Sequence, residues 1–491
     1  MKQLLLNFFV TIGMIGVVTA QGYTTPDTNS TFTLDDLVAA SPTTISVSGT
    51  TYTLVEDLTI SASDTFNISE DITLEIGEDI RITVFGTFNV NADNAVFTAI
   101  DTAAPYDGFR FEEFSDITIQ NATIQYGGGL RVLTETFTID NCLLTNNVSG
   151  VSSSGVLGLS RGTPQITNNT ITSNETTAIG SGASNQVSPY IFNNYIEGNN
   201  QANSNRPQIN LGPSLTDSPT EIIQNSIIGD RTLTSVGGVS VSDLLNASGV
   251  NAIIDNNIIT NNRYGIVIQS NNVSAFVRNN VIEDNDTQGN PNLGGSGISL
   301  VASVEGNEII ASGNEIRRNL WGITLQGESM INLGDNDGNI GQNVFSENGN
   351  GGVTYALYNN TNNSLTAMHN CWDETNAMLT LADAEAVIAH QNDIPSLGLV
   401  TFDPVDCGFL GVDDITSNEV RFYPNPTTGN LNLDHNTLFT QMNVYSIQGE
   451  LIMQESLHVG SNALHLNLSA GMYLVELKGD NTRATKKLVI K

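Results

Sequence analysis

Apolar and polar residues alternate along most of the chain, and a short unit built on this alternation recurs from about residue 110 to residue 365. The unit is an apolar residue, two variable residues, asparagine, one variable residue, a second apolar residue, two variable residues and a second asparagine. Such alternation over a few residues predicts short strands, not helices. Clear copies lie at 166–174, 191–199, 254–262, 277–285 and 340–348, and looser copies at 119–127, 139–147, 222–230 and 311–319.

The copies follow one another at intervals of a few tens of residues, and several continue into a second strand opened by glycine, as at Gly265-Ile266 and Gly322-Ile323. Such a unit cannot bury its apolar side alone but can do so by stacking on its neighbours. Asparagine at a fixed turn position tolerates a left-handed backbone, and its amide can bond to the same asparagine in the next coil. The sequence therefore predicts a solenoid with internal asparagine ladders.

The segments around the repeats predict covers for the two ends of this solenoid. Residues 32–40 predict a short helix, and the alternation from 52 to 100 predicts strands of the first coils beneath it. Downstream lie an Asn-x-Trp element (370–372), an alanine-rich stretch (381–390) and the segment 397–404. We assign 21–109 to the cap and first coils, 110–365 to the repeats and 366–412 to the closing segment.

These repeats resemble the right-handed parallel β-helix family, and the closing segment resembles the end of many bacterial members. The resemblance implies an all-β fold built as a right-handed parallel β-helix, and the short alternating strands of the C-terminal stretch predict a small β-sandwich after it. We interpret Trp372 as a core residue; the alternative is a platform for a ligand.

The N-terminus has the features of a secretory signal peptide. A lysine at position 2 precedes an apolar run from Leu4 to Val18, and small residues then lead to a predicted cleavage between Ala20 and Gln21. No later apolar run is long enough to span a bilayer. The sequence thus predicts export without a transmembrane segment.

Four different motifs follow one another at the C-terminal end, at 421–429 around Pro-Asn-Pro, 444–450, 466–475 and 486–491. They resemble the type A sorting domain of type IX secretion, to which we assign residues 413–491. The resemblance implies a partnership with that secretion machinery, a secreted or outer-membrane surface location, and possible attachment to surface lipopolysaccharide. In that family the domain is commonly removed during export.

The charge of the chain is strongly acidic and unevenly distributed. The formal net charge is -34, with 51 acidic residues, of which six lie from Glu419 onward. The other 45 precede Glu419, and between the signal peptide and Glu419 there are only ten basic residues, all arginine. This field repels nucleic acid and other polyanions, whereas neutral glycans and Ca²⁺ remain compatible. The alternative is that the charge serves only solubility.

Three cysteines are too few for a disulfide scaffold. Cys371 and Cys407 can pair in an oxidising compartment, and that pairing is left open. Cys142 stands at an asparagine position of the repeat, which predicts a buried thiol.

Candidates for catalysis are few. A polysaccharide lyase needs a base and a cation, for which Arg263 with Tyr264 and Arg317 with Arg318 are the candidates; the alternative is that these arginines pair with carboxylates. A glycoside hydrolase needs two carboxylates, and Asp255 and Asp284 are expected at similar turn positions on one face.

Candidates for binding are a metal loop and a pair of aromatic residues. Asp335, Asp337 and Asn339 superficially resemble a Ca²⁺ loop, but the sharp-turn glycine is missing, and a simple turn insertion is the alternative. Tyr264 and Trp321 stand at the same place in repeats two coils apart, about 10 Å along the stack, close to the spacing of sugar rings. We expect a binding or structural role, with glycans as partners; the alternative is a polysaccharide-degrading enzyme.

Overall fold

The computed structural model describes residues 22–376, 378–408, 420–425, 427–435, 439–446, 451–458, 460–469, 471–479 and 483–491. The chain forms two compact units, one up to Cys407 and one from Gly408. The predicted signal cleavage at Ala20 and Gln21 lies outside the described residues, as does the predicted boundary at residue 413.

The first unit is a solenoid of three long sheets, and from residue 51 to residue 317 each coil contributes one strand to each sheet in turn. Sheet 1 has 14 strands in the described part of the chain: Tyr23–Thr24, Leu58–Ile60, Arg81–Val84, Gly108–Phe111, Leu130–Val132, Leu157–Leu159, Ile179–Ser181, Ile209–Leu211, Val239–Ser242, Ile266–Gln269, Ser296–Ala302, Trp321–Gly327, Leu357–Thr361 and Ile388–Ala389.

Sheet 2 has 11 strands in the same residues: Thr31–Phe32, Thr65–Ile68, Thr87–Val90, Asp116–Gln120, Thr136–Asp140, Gln165–Thr167, Tyr190–Phe192, Thr220–Ile223, Val250–Asp255, Val273–Arg278 and Glu308–Ser312. Sheet 3 has 13: Ile45–Ser48, Thr51–Leu54, Ile72–Ile76, Ala95–Ala99, Ala122–Gln125, Leu143–Thr145, Thr170–Thr172, Tyr195–Glu197, Ser226–Ile228, Ile258–Thr260, Val281–Glu283, Glu315–Arg317 and Val344–Ser346. Neighbouring strands are parallel, except the antiparallel pair that opens sheet 3. The predicted parallel solenoid is confirmed.

The core of the solenoid is a continuous apolar column, because every second residue of each strand points inward. Two polar ladders run through it. In the first, each asparagine donates its amide to the next across 2.9–3.0 Å, from Asn169 through Asn194, Asn225, Asn257, Asn280, Asn314 and Asn343 to Asn370. Cys142 begins this row by donating its backbone N–H to Asn169.

Two details of the ladders differ from the sequence prediction. The left-handed residue is the one before the ladder asparagine, as at Asn168 (φ 57°) before Asn169, because the ladder side chain must point inward from an ordinary backbone. In the second ladder, Asn199 bonds to Gln208 and Gln208 bonds to Asn262. Gln208 thus takes the ladder place that the repeat pattern gives to Asp230.

The two ends of the solenoid are covered. The helix Leu34–Ala40 carries a capping box between Thr33 and Asp36 and buries Leu34 and Leu37. At the other end lie the helix Leu381–Glu385 and the paired strands Leu365–Thr366 and Val400–Thr401. The strands Gly349–Asn350 and Val353–Thr354 form a hairpin.

Trp372 lies within this closing segment. Its side chain is 1% exposed, and its ring stacks on Phe345 with the ring centroids 4.8 Å apart. Trp372 therefore packs in the core rather than forming a platform.

The second unit is a small antiparallel domain with its own apolar core. One sheet contains Val420–Tyr423, Asn430–His435 and Gly460–His465, and the other contains Leu451–Ser456, Phe439–Tyr445, Gly471–Gly479 and Arg483–Ile490. Two such sheets agree with the predicted β-sandwich.

Candidate functional site

A groove of about 420 Å³ lies on the outer face of sheet 1, towards the C-terminal end of the solenoid. Its floor is a row of outward side chains that stack in register over four coils: Val267, Ser299, Thr324 and Tyr358. Gln326 and Asn360 form the end of the next row and are exposed. The other lining residues are Arg263, Tyr264, Pro291, Asn292, Leu293, Gly294, Ser296, Trp321 and Leu325.

Trp321 is held at one wall of the groove by neighbouring rings. Its ring stacks on Tyr358 at 5.6 Å and 20° and contacts Tyr355 at 4.6 Å and 40°. The indole Nε1–H donates to the carbonyl oxygen of Pro291 at 3.0 Å. Part of the Trp321 surface is thus used internally, and its orientation is fixed before any ligand arrives.

Tyr264 lines the same groove, two coils before Trp321. Its ring packs against Gly237 of the preceding coil, where a Cβ would lie only 2.1 Å from Cζ of the ring. Burial raises the pKa of the Tyr264 hydroxyl to about 12. The structure therefore brings the two sequence-predicted aromatics into one groove, where Tyr264 is only partly exposed.

The groove differs from the rest of the protein in charge. Among its described lining residues none is aspartate or glutamate, although the chain has 51 of them. Arg263 donates to the carbonyl oxygen of Leu293 from Nε at 2.7 Å and from Nη2, and to Asn205 from Nη1. The guanidinium thus fixes the loop at Leu293.

Arg317 and Arg318 lie away from this groove, at the end of a strand of sheet 3. Arg317 pairs with Glu315 and with Glu374, the latter at 2.7 Å. Arg318 pairs with Glu283 at 2.7 Å and with Asp284 at 2.8 Å. Hydrogen bonds to these carboxylates raise the pKa of both arginines, so neither can serve as a base.

Asp255 and Asp284 are not brought together, which corrects the expectation that they line one face. Asp255 ends a strand of sheet 2 and pairs with Arg278 at 2.7 Å, whereas Asp284 follows a strand of sheet 3. Asp255 stands one residue after the first apolar position of its repeat and Asp284 just before the second asparagine. The two carboxylates therefore project at different corners of the coil.

Asp335, Asp337 and Asn339 form a turn. The Asp335 carboxylate accepts the N–H groups of Asp337 at 2.7 Å and Asn339 at 3.0 Å, and these bonds together with that from the Asn332 side chain lower its pKa. Asp337 is exposed and the Asn339 side chain donates to Asn332. Within the described ranges, no cluster of three His, Cys, Asp or Glu residues could hold a metal ion.

The three cysteines have distinct environments. A disulfide joins Cys371 to Cys407, 36 residues apart, and ties the end of the first unit to the core. Cys142 is buried, and desolvation raises the pKa of its thiol to about 12.

Comparison with known families agrees with both units. Residues 128–310 match the model of the right-handed β-helix region, and residues 421–491 match that of the secretion system C-terminal sorting domain. The chain thus contains a right-handed β-helix region and a secretion sorting domain. A search of curated proteins found no match to this β-helix protein. None of the described helices has the length and apolarity needed to cross a membrane.

The sorting domain indicates secretion and cell-surface attachment, and it implies interaction with the secretion machinery. The groove on sheet 1 brings together three residues singled out from the sequence, namely Arg263, Tyr264 and Trp321. Tyr358, Gln326 and Asn360 were missed there, because the insertion between the strands Trp321–Gly327 and Leu357–Thr361 hides the register that aligns Tyr358 with Thr324 and Asn360 with Gln326.

Proposed function

We propose that this surface β-helix protein binds neutral glycans in the groove on sheet 1. The observation that carries the proposal is the meeting of Trp321 and Tyr358 with the exposed amides of Gln326 and Asn360 in one groove. Partly exposed aromatic rings offer an apolar surface, and amide side chains both donate and accept hydrogen bonds. Sugar rings need both kinds of contact.

The charge of the groove supports a neutral ligand. The described lining residues include no carboxylate, and the acidic surface around them disfavours polyanionic chains. Coils about 4.8 Å apart place Tyr264 and Trp321, two coils apart, about 10 Å from each other along the stack, roughly the length of two sugar rings in an extended chain. Binding at the cell surface would make the protein an adhesin, and we propose lipopolysaccharide as its attachment.

The test is a glycan array on the full secreted chain, followed by titration of the best neutral ligand. We expect the double variant Trp321→Ala/Tyr358→Ala to weaken binding about 30-fold, the change that follows from losing about 2 kcal/mol at a central aromatic contact. Tyr195→Ala is the matched control, because Tyr195 is 41% exposed but lies on sheet 3. Equal affinities of the double variant and the control would refute the proposal.

The alternative of a polysaccharide-degrading enzyme has one observation in its favour: Arg263 and Tyr264 both line the groove. Against it, the Tyr264 hydroxyl with a pKa of about 12 is protonated at neutral pH, and Arg263 is bonded to a backbone carbonyl oxygen. Assays for reducing ends and for unsaturated products on the same ligand decide between binding and cleavage.

A further inference from the structure

One wall of the groove on sheet 1 is the loop of residues 284–295, which joins the strand Val281–Glu283 to the strand Ser296–Ala302. Residues 291–294 of this loop line the groove, and Leu293 among them is 51% exposed. A surface loop of this length keeps one position only where other residues hold it. The shape of the groove therefore depends on what fastens the loop.

Trp321 depends on this loop for its orientation. Its faces contact the rings of Tyr355 and Tyr358, and its Nε1–H donates to the carbonyl oxygen of Pro291 in the loop at 3.0 Å. The stacking contacts fix the plane of the indole, whereas the directional hydrogen bond fixes its rotation within that plane. A shift of the loop would therefore change how Trp321 faces the groove.

Arg263 fastens the loop beside Trp321. Its Nε donates to the carbonyl oxygen of Leu293 at 2.7 Å, and its Nη2 donates to the same oxygen. Its own carbonyl oxygen accepts the N–H of Gly295 at 2.7 Å, and its Nη1 donates to Asn205, on the loop two coils earlier. The rigid fork of a guanidinium suits such a set of bonds in fixed directions. Arg263 thus holds the wall of the groove and is itself anchored on the other side.

The loop lies directly on the side chain of Arg263. At Gly294, a Cβ would stand 2.9 Å from Cγ and 3.1 Å from Nε of Arg263. These distances are too short for van der Waals contact, so a methyl group there would push the loop away from the arginine. The loop and Arg263 are thus matched in shape as well as by hydrogen bonds.

Arg263 also differs from most arginines of the solenoid in its partners. Within the described residues it forms no ion pair with a carboxylate, whereas seven of the ten do: Arg81, Arg110, Arg161, Arg231, Arg278, Arg317 and Arg318. Its bonds go to a backbone carbonyl oxygen and a side-chain amide instead. They serve the position of two loops and not the pairing of charge.

We infer that Arg263 is a positioning residue of the groove, which holds the wall at 291–294 and, through Pro291, keeps the Trp321 indole in the orientation that a ligand meets. What a glycan gains from this orientation rests on the proposed function, whereas the orientation of Trp321 can be measured without a ligand. A ring that is ordered before the ligand arrives lowers the entropy cost of binding.

Fluorine NMR of the full chain labelled with 5-fluorotryptophan tests the inference, because the two tryptophans give one resonance each. Trp321→Phe assigns the resonances, and that of the buried Trp372 reports whether the sample is folded. We expect Arg263→Gln to displace only the Trp321 resonance and to weaken binding of the best neutral glycan about fivefold. Arg206→Gln is the matched control, because Arg206 also bonds to a loop carbonyl oxygen, that of Ser153 at 3.2 Å, but does not line the groove.

Gly294→Ala separates positioning from direct contact with the ligand. It keeps Arg263 but moves the loop, so it should displace the Trp321 resonance as Arg263→Gln does, and it decides the matter if Arg263→Gln disturbs the fold. An unmoved Trp321 resonance in these variants would overturn the inference even if glycan binding weakened, and so would an equal displacement in Arg206→Gln. A displaced resonance in a chain whose wild type binds no neutral glycan would leave the positioning role intact and refute the proposed ligand.

Discussion

At the scale of single residues, the inner asparagines satisfy backbone groups that the turns leave unpaired. Asn225, for example, accepts the backbone N–H of Asn194 and donates to the carbonyl oxygen of Ile191 at 2.9 Å, while its Nδ2 also reaches Asn257. Buried polar groups are costly unless they are bonded, so each position depends on the coils on both sides. The ladder therefore fixes the register of stacking.

The side chain of Gln208 forms hydrogen bonds with three other residues. Its Oε1 accepts from the backbone and side chain of Asn199, and its Nε2 donates to Ile228 at 2.8 Å and to Asn262 at 3.1 Å. We expect Gln208→Leu to lower the free energy of unfolding by about 3 kcal/mol, because it leaves these buried groups unbonded. Denaturant unfolding measures the change, and the exposed Gln269→Leu serves as control. Equal midpoints would contradict the role of Gln208.

Cys142 should be inert in the folded protein. Its pKa is raised from 9.0 to about 12 by burial, so the thiol stays protonated in the native state where an unfolded thiol ionises. We expect no reaction with a thiol reagent at pH 9.0 until denaturant is added. The folded state then holds its proton more tightly, so this residue's contribution to stability is lost as the pH rises from 9.0 towards 12. Rapid labelling without denaturant would show that the coil around Cys142 opens.

At the scale of elements, each strand is too short to bury its apolar side alone, and the stacking of neighbouring coils buries it. Glycines between strands mark places where a ring of a neighbouring coil lies close to the backbone, as Tyr264 does at Gly237 and Tyr106 at Gly127. A side chain at these positions would collide with the ring. These glycines are thus required by the rings that pack against them.

The closing segment depends on the disulfide between Cys371 and Cys407. A crosslink over 36 residues is worth about 4 kcal/mol through the unfolded chain. We expect Cys371→Ala/Cys407→Ala to lower the unfolding midpoint of the first unit, measured by calorimetry. The terminal unit, which has its own core, should be unchanged.

Reducing agent provides the matched control for this prediction. It should lower the midpoint of the wild type and leave that of the double variant as it was. A wild type that resists full reduction without any shift would mean that the disulfide adds no stability.

At the scale of the whole molecule, the two units differ in charge and in their role in export. The acidic residues are concentrated before the sorting domain, which is nearly balanced in charge. The acidic solenoid therefore repels polyanions. The groove on sheet 1 is an exception to this acidic surface, because its described lining residues include no carboxylate.

Surface display should require the terminal unit. We expect a chain lacking residues 420–491 to fold its solenoid but to be absent from the cell surface, as the match to the sorting domain implies. Protease accessibility on intact cells measures this. The full-length Trp321→Ala variant should be exported normally, and surface display of the truncated chain would contradict the prediction.

The sequence by itself determined the solenoid, its asparagine ladders and the terminal sorting domain. Each depends on a local pattern that repeats, and repetition fixes stacking because every coil meets a copy of itself. It also placed Tyr264 and Trp321 at matching positions in their coils. The ladders and the matching aromatic positions follow from the spacing of the repeat, which is visible in the sequence.

The tertiary structure decided the features that the spacing of the repeat does not predict. Gln208 enters a ladder from outside the repeat, Asp255 and Asp284 turn out to face different corners, and Tyr358 joins Trp321 across an insertion of irregular length. Arg263 reaches the carbonyl oxygen of Leu293, on the loop of the next coil. Each depends on how irregular loops pack, and contacts between residues distant in sequence leave no periodic signal.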